Sequence, residues 1–296
     1  LVRRWMNQYG METTEKICAE NVKAPLLTAR VNTIRTTVGQ VIDRLREDKV
    51  TAARGKLSPE AIEIKRGNLV KSSVFTEGLV TIQDESSMLV ARALDPQKNE
   101  RILDCCAGPG GKTTHLAERM DNSGKIVALD LYEHKVKLID SQVRRLRLTN
   151  VETDVLDSRK AAERYREESF DRILVDAPCS GFGVIRRKPD IKWSKREEEI
   201  EQIAALQMQI LNSVAPLVKR GGTLVYSTCT IEREENERVV NEFLNVHPQF
   251  SFDLSLSDRL PKKLHPYMDG HDGYVKILPH YFGNDGFFIA AFTRHE

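Results

Sequence analysis

The stretch Ile102-Leu103-Asp104-Cys105-Cys106-Ala107-Gly108-Pro109-Gly110-Gly111-Lys112-Thr113 decides the fold. A short apolar run enters a glycine-rich turn, and helical spacing follows over 113–120, so strand, tight turn and helix are read in sequence. The same alternation recurs downstream of this stretch. Strands are expected at 101–105, 125–130, 151–156, 171–175 and 222–226, with helices at 113–120, 134–147 and 197–218. Short apolar strands separated by helices specify an α/β fold, a Rossmann-like parallel sheet with helices on both faces. The tail adds a helix over 232–245 and two candidate strands, 275–278 and 287–293.

Upstream of this unit the pattern differs. Residues 1–25 read as helical, with Trp5, Met6 and Tyr9 and then a stretch around Ile17, closed by Pro25. A strand over 26–33 precedes a helix over 38–46, whose Val38, Val41, Ile42 and Leu45 share one face. Strands at 61–64 and 69–74 complete a small α+β module with ferredoxin-like order. Val80 to Gln83 and the helical run Ser86 to Leu94 lead to Pro96. Two domains are therefore expected: 1–94, a small module and connector, and 95–296, the larger α/β unit.

Charge and cysteines narrow the class. Residues 1–71 hold 14 Lys/Arg against 8 Asp/Glu, while the rest hold 31 against 35. A basic flank beside a slightly acidic body suits a polyanion, and equally an ordinary solvated surface. Five cysteines without CxxC or Cys/His spacing argue against a disulfide framework and against a metal site. No apolar run reaches the roughly 20 residues that span a membrane. A reducing cytoplasm is the simplest location and a monomer the default state. The chain opens at Leu1 with neither an initiator Met nor a signal-peptide pattern, so upstream residues are expected to be missing.

Three readings of the glycine turn compete. A phosphate-binding P-loop fits Gly111-Lys112-Thr113, but Cys106 stands at its first glycine. A dinucleotide fingerprint starting at Gly108 and Gly110 would need its third glycine at Thr113. The third reading is a methyltransferase turn, with an acidic residue ending the next strand, and Asp130 stands there. A plain structural turn with Asp130 as a helix cap is the bland alternative.

Two cysteines follow later strands, in Asp176-Ala177-Pro178-Cys179-Ser180 and Ser227-Thr228-Cys229-Thr230. A single strand-end cysteine is ordinarily a small buried hydrophobe. Two on the sheet edge that carries the glycine turn point to covalent catalysis. C5 of cytosine is too weak a nucleophile to attack a sulfonium methyl. A thiolate adding to C6 makes C5 enamine-like, and an acid near N3, with Asp176 the candidate, would help that addition.

Segments 106–112, 176–179 and 227–229 resemble the two-cysteine RNA cytosine-C5 methyltransferases. Residues 183–193, Gly-Val-Ile-Arg-Arg-Lys-Pro-Asp-Ile-Lys-Trp, resemble the bacterial small-subunit (16S) ribosomal RNA branch of that family, the RsmB (Sun/Fmu) type. The resemblance implies a Rossmann-like S-adenosylmethionine-dependent methyltransferase domain preceded by an RNA-facing module, and a helical RNA-binding domain further upstream. It implies Cys229 as the nucleophile and Cys179 as the residue assisting product release. DNA enzymes attack with the Pro-Cys cysteine, so this assignment rests on the RNA-family resemblance. Cofactor contacts are expected from Cys106, Ala107, Gly108, Pro109, Gly110, Gly111 and Lys112 along the turn. Asp130 is expected at the ribose, Asp157 at the adenine and Asp176 near the methyl.

Arg186, Arg187, Lys188 and Lys192, beside Trp193, form a basic and aromatic stretch after the Cys179 turn, read as an RNA contact. A solvated loop with Trp193 in the core is the alternative. Rival functions are transfer RNA methylation, methylation of an exocyclic amino group, and non-catalytic ribosome assembly. The amino-group enzymes place an aromatic where Cys179 stands.

Overall fold

A computed structural model describes residues 1–268 and 273–295. Strands β1 (Leu27–Val31), β2 (Thr51–Arg54), β3 (Ala61–Arg66) and β4 (Val80–Ile82) form an antiparallel sheet in the order β2-β3-β1-β4. The helix Val38–Glu47 between β1 and β2 is started by a Thr37/Gln40 capping box. Its Val38, Val41 and Leu45 pack on Ala29, Val31, Ile62 and Ile64 of the sheet. This is the ferredoxin-like order expected of the small module. Residues 69–74, expected as a strand, instead form a 3-10 turn Leu69–Lys71 and a helix Ser73–Thr76. Local capping prevails there: Asn68 accepts from the Lys71 amide and Ser72 from the Phe75 amide.

The large sheet contains β5 (Arg101–Asp104), β6 (Lys125–Asp130), β7 (Val151–Val155), β8 (Phe170–Asp176), β9 (Val218–Thr228), β10 (Phe250–Phe252), β11 (Tyr274–Ile277) and β12 (Phe287–Arg294). The order is β10-β12-β9-β8-β5-β6-β7, with β11 paired to β12. β7, β6, β5, β8 and β9 run parallel, and β12 returns antiparallel to β9. Neighbouring residues along a strand face opposite sides. Leu103, Ile173 and Leu224 join one core with Leu211 and Val214 of the helix Glu197–Val214. Ile102, Leu174 and Val225 join the other, with Leu89, Val90 and Leu116. The chain winds outward from β5 in both directions, so a crevice opens at the carboxyl ends of β5 and β8, where such sheets bind ligands.

Three segments extend this frame. The helix Glu85–Leu94 packs under the large sheet. Helices Val2–Tyr9 and Met11–Asn21 also leave the small sheet: Trp5 and Ile17 pack with Phe182, Ile185 and Ile231. Residues 232–236, expected as the start of a helix, are not helical: 233–236 form a turn, and the helix is Glu237–Val246. Finally, Arg30 of β1, fully buried, forks onto both carboxylate oxygens of Glu118 at 2.8 and 2.9 Å and donates to the Gly111 carbonyl at 2.8 Å. The small sheet is thereby pinned to the helix Gly111–Arg119 that follows the glycine turn.

Candidate active site

Between β5 and the helix Gly111–Arg119 the backbone turns at Gly110, whose φ of +107° is a conformation that favours glycine. A side chain there would also come within 3.1 Å of Ile139 Cα. Asp130, at the end of β6, accepts from the Gly108 amide at 3.0 Å and the Tyr132 amide at 3.1 Å. The carboxylate thus shapes the turn, and a Cβ on Gly108 would stand 2.6 Å from Asp130 Oδ2.

A cleft of about 390 Å³ opens beside this turn, lined by Cys106, Gly108, Lys112, Asp176, Cys229 and Phe287 among others. Ala107, Pro109 and Gly111 also line it; Gly110, Asp130, Asp157 and Cys179 do not. Asp157 caps the 3-10 turn Ser158–Lys160 and holds Arg159 with both oxygens. Asp104, which the sequence reading passed over, lines the cleft while fully buried. Burial pushes its carboxyl up to about 7, against the hydrogen bond from Thr113 Oγ1 at 2.7 Å. Its position at the end of β5 was the available signal.

The two cysteine turns meet at the same edge. Cys179 Sγ and Cys229 Sγ stand 3.3 Å apart, within thiol hydrogen-bond distance. The hydrogen bond from Cys179 lowers the Cys229 thiol below its ordinary value, aided by Lys112 and against burial and Asp176. The same bond, then burial, raises Cys179 well above it. Asp176 accepts from Lys112 Nζ at 2.7 Å and from Ser227 Oγ at 2.8 Å. Burial works to lower the Lys112 ammonium, but Asp176 outweighs it and the net shift is upward. A thiol shifted toward ionisation, a neighbour shifted away from it and a Lys–Asp ion pair are the parts of covalent catalysis with proton transfer.

Behind the sulfurs the turns are hydrogen-bonded to each other. Ser180 Oγ meets Thr230 Oγ1 at 2.8 Å, and the Gly183 amide donates to the Cys229 carbonyl at 2.9 Å. The residues after Cys179 behave in two ways. Arg186 is buried, donating to Glu20 at 3.0 Å and to the Gly283 and Asn284 carbonyls. Arg187 donates from Nε to both Asp285 oxygens, at 2.9 and 2.7 Å, and from Nη2 to Asp84 at 3.0 Å. Both guanidinium groups are occupied within the protein, which differs from the expected phosphate contact. Lys188 and Lys192 are exposed, and Trp193 is 82 % exposed rather than in the core. Among the described residues no cluster of His, Cys, Asp or Glu could hold a metal ion. No described helix is long and apolar enough to cross a membrane.

The chain is 49% identical over 294 residues to the probable ribosomal RNA small subunit methyltransferase B of Bacillus subtilis (strain 168), covering 99% of this chain and 65% of that protein. It therefore spans just under two thirds of that relative's length. A methyltransferase homolog protein from Pyrococcus horikoshii is 29% identical with a TM-score of 0.82, over 99% of this chain and 94% of that one. NSun6 from Pyrococcus horikoshii, solved with SFG, shares the fold at 22% identity and a TM-score of 0.86, over 100% and 98%. Residues 1–71 match the RsmF/B-like ferredoxin-like domain. Residues 91–293 match the methyltransferase domain itself, and the chain belongs to the 16S rRNA methyltransferase RsmB/F family.

Proposed function

We propose that the protein transfers a methyl group from S-adenosylmethionine to C5 of a cytosine in small-subunit ribosomal RNA through a covalent cysteine adduct. The observation that carries this reading is the 3.3 Å pair of sulfurs at a cleft shared with the glycine turn, Lys112 and Asp176. The cleft fits the methyl donor. Asp104 Oδ1 is buried without a protein partner, and no side chain caps the helix Gly111–Arg119. A carboxylate and free helix amides suit the amino and carboxylate ends of a methionyl group. Cys106 to Lys112 would hold that portion, Asp130 the ribose, Asp157 the adenine side and Asp176 the methyl end. The bound donor supplies an electrophilic methyl on a sulfonium sulfur.

The Cys229 thiolate forms a bond to C6 of the cytosine. The displaced electron pair moves toward N3, which takes a proton relayed from the Lys112 ammonium through Asp176. C5, now enamine-like, takes the methyl. Release requires loss of the C5 proton and cleavage of the C6–Sγ bond. Cys179 passes its proton to the departing Cys229 sulfur and accepts the C5 proton, while N3 returns its proton to the Asp176–Lys112 pair, which balances the step. Residues 1–94 serve as RNA-facing module and connector to the catalytic domain 95–296. Exposed Lys188, Lys192 and Trp193 suit phosphate contact and base stacking, while Arg186 and Arg187 shape the loop that presents them. Incubation with tritiated S-adenosylmethionine and protein-free small-subunit ribosomal RNA, followed by nucleoside chromatography, tests the reaction. Label in 5-methylcytidine is expected; label confined to another nucleoside overturns the reading.

A further inference from the structure

Glu235 and Asn236 are completely buried, consecutive in sequence, and aimed at different cysteine turns. Glu235 Oε2 accepts from the Ser180 amide, the residue after Cys179, at 2.8 Å. Gln207, itself fully buried, donates to the same oxygen at 3.1 Å and to the Pro178 carbonyl, the residue before Cys179, at 3.0 Å. Asn236 instead flanks Cys229: its Oδ1 accepts from Thr228 Oγ1 at 2.5 Å and its Nδ2 donates to the Thr230 carbonyl at 3.0 Å. Tyr226 Oη, bonded to the Glu235 carbonyl at 2.6 Å, ties this bracket to β9. The helical start expected at 232–236 is given up to place these groups.

We propose that Glu235 and Asn236 are separate positioning residues, Glu235 setting Cys179 for product release and Asn236 setting Cys229 for attack. The inference rests on the two-thiol reading above. Glu235 holds the Ser180 amide directly and the Pro178 carbonyl through Gln207, and Asn236 holds the Thr228 hydroxyl and the Thr230 carbonyl, so each acts on its cysteine through the residues on either side of it. A merely structural role would weaken both chemical steps together. Separate positioning divides them, because each turn has its own clamp.

The test compares E235A, N236A and E235Q with wild type, C179A and C229A, on protein-free small-subunit ribosomal RNA with tritiated S-adenosylmethionine. First-turnover methyl transfer, steady-state turnover and denaturant-resistant protein–RNA adduct are each measured. E235A is expected to keep first-turnover transfer within about threefold, lose about tenfold or more in steady-state turnover, and retain adduct as C179A does. E235Q, whose amide oxygen still accepts from Ser180, should recover turnover. N236A should lose about tenfold or more in the first turnover and accumulate no adduct. Where E235A or N236A does not fold, Q207L and T228V loosen the same clamps from the other side and carry the same expectations. Equal loss in both steps for both clamps, or no recovery by E235Q, overturns the inference. If C179A retains adduct and E235A does not, this inference alone fails. If C179A retains none, the two-thiol reading fails and takes the inference with it.

Discussion

At the residue scale the site depends on an asymmetry between two chemically identical thiols. Their mutual hydrogen bond is the largest influence on both, pushing Cys229 down and Cys179 up. Lys112 deepens the difference at Cys229, since its ammonium favours the thiolate. A thiol with a lowered pKa ionises earlier as pH rises, so its alkylation sets in at lower pH. Iodoacetamide labelling followed by peptide mass spectrometry should therefore give Cys229 a midpoint below that of an ordinary thiol. In C179A the main lowering influence is gone and that midpoint should move up. An unchanged midpoint would mean that the pair does not act as a hydrogen-bonded unit. The identities of these groups were legible in the sequence, because Cys179 and Cys229 end strands of one parallel sheet. Their separation was not, since 3.3 Å is fixed by Ser180, Thr230 and the buried bracket behind them.

At the element scale the glycine turn carries the strongest local constraint. Gly110 combines positive φ with the close approach of Ile139. G110A is expected to cost about 1–3 kcal/mol of stability in urea unfolding, from backbone strain with added contact. A cost below about 0.5 kcal/mol, the range of an unconstrained surface change, would show the turn relaxing freely. The β/α alternation was readable because buried strands and amphipathic helices have different periods. Where the reading missed, local polar groups had found better partners. Asn68 and Ser72 cap 3-10 and helical turns inside the expected strand 69–74. Glu232 holds Trp5 Nε1 at 2.8 Å, while Glu235 and Asn236 serve the cysteine turns. Arg186 and Arg187 read as phosphate ligands on charge alone, but their partners Glu20, Asp84 and Asp285 are distant in sequence. Single-sequence patterning does not reveal such long-range pairs.

At the scale of the molecule, Arg30 joins the small sheet to the helix that begins at the glycine turn. Glu118, its partner, is almost wholly buried, and burial raises its carboxyl above the ordinary value despite Arg30. Removing one member of such a pair leaves the other charge without compensation. R30A is expected to destabilise the fold by about 3–5 kcal/mol, read from the shift in urea midpoint. A near-zero change would show that the two sheets are held together by apolar packing alone. The same linkage makes the small module part of the frame that positions the cleft, since Arg30 also binds the Gly111 carbonyl.

In the proposed mechanism Cys229 attacks and Cys179 releases. The most direct measurement mixes C229A and C179A separately with small-subunit ribosomal RNA and S-adenosylmethionine, then resolves the products under denaturing conditions. C179A is expected to give a stable protein–RNA adduct and C229A none. An adduct with C229A and none with C179A would contradict the mechanism.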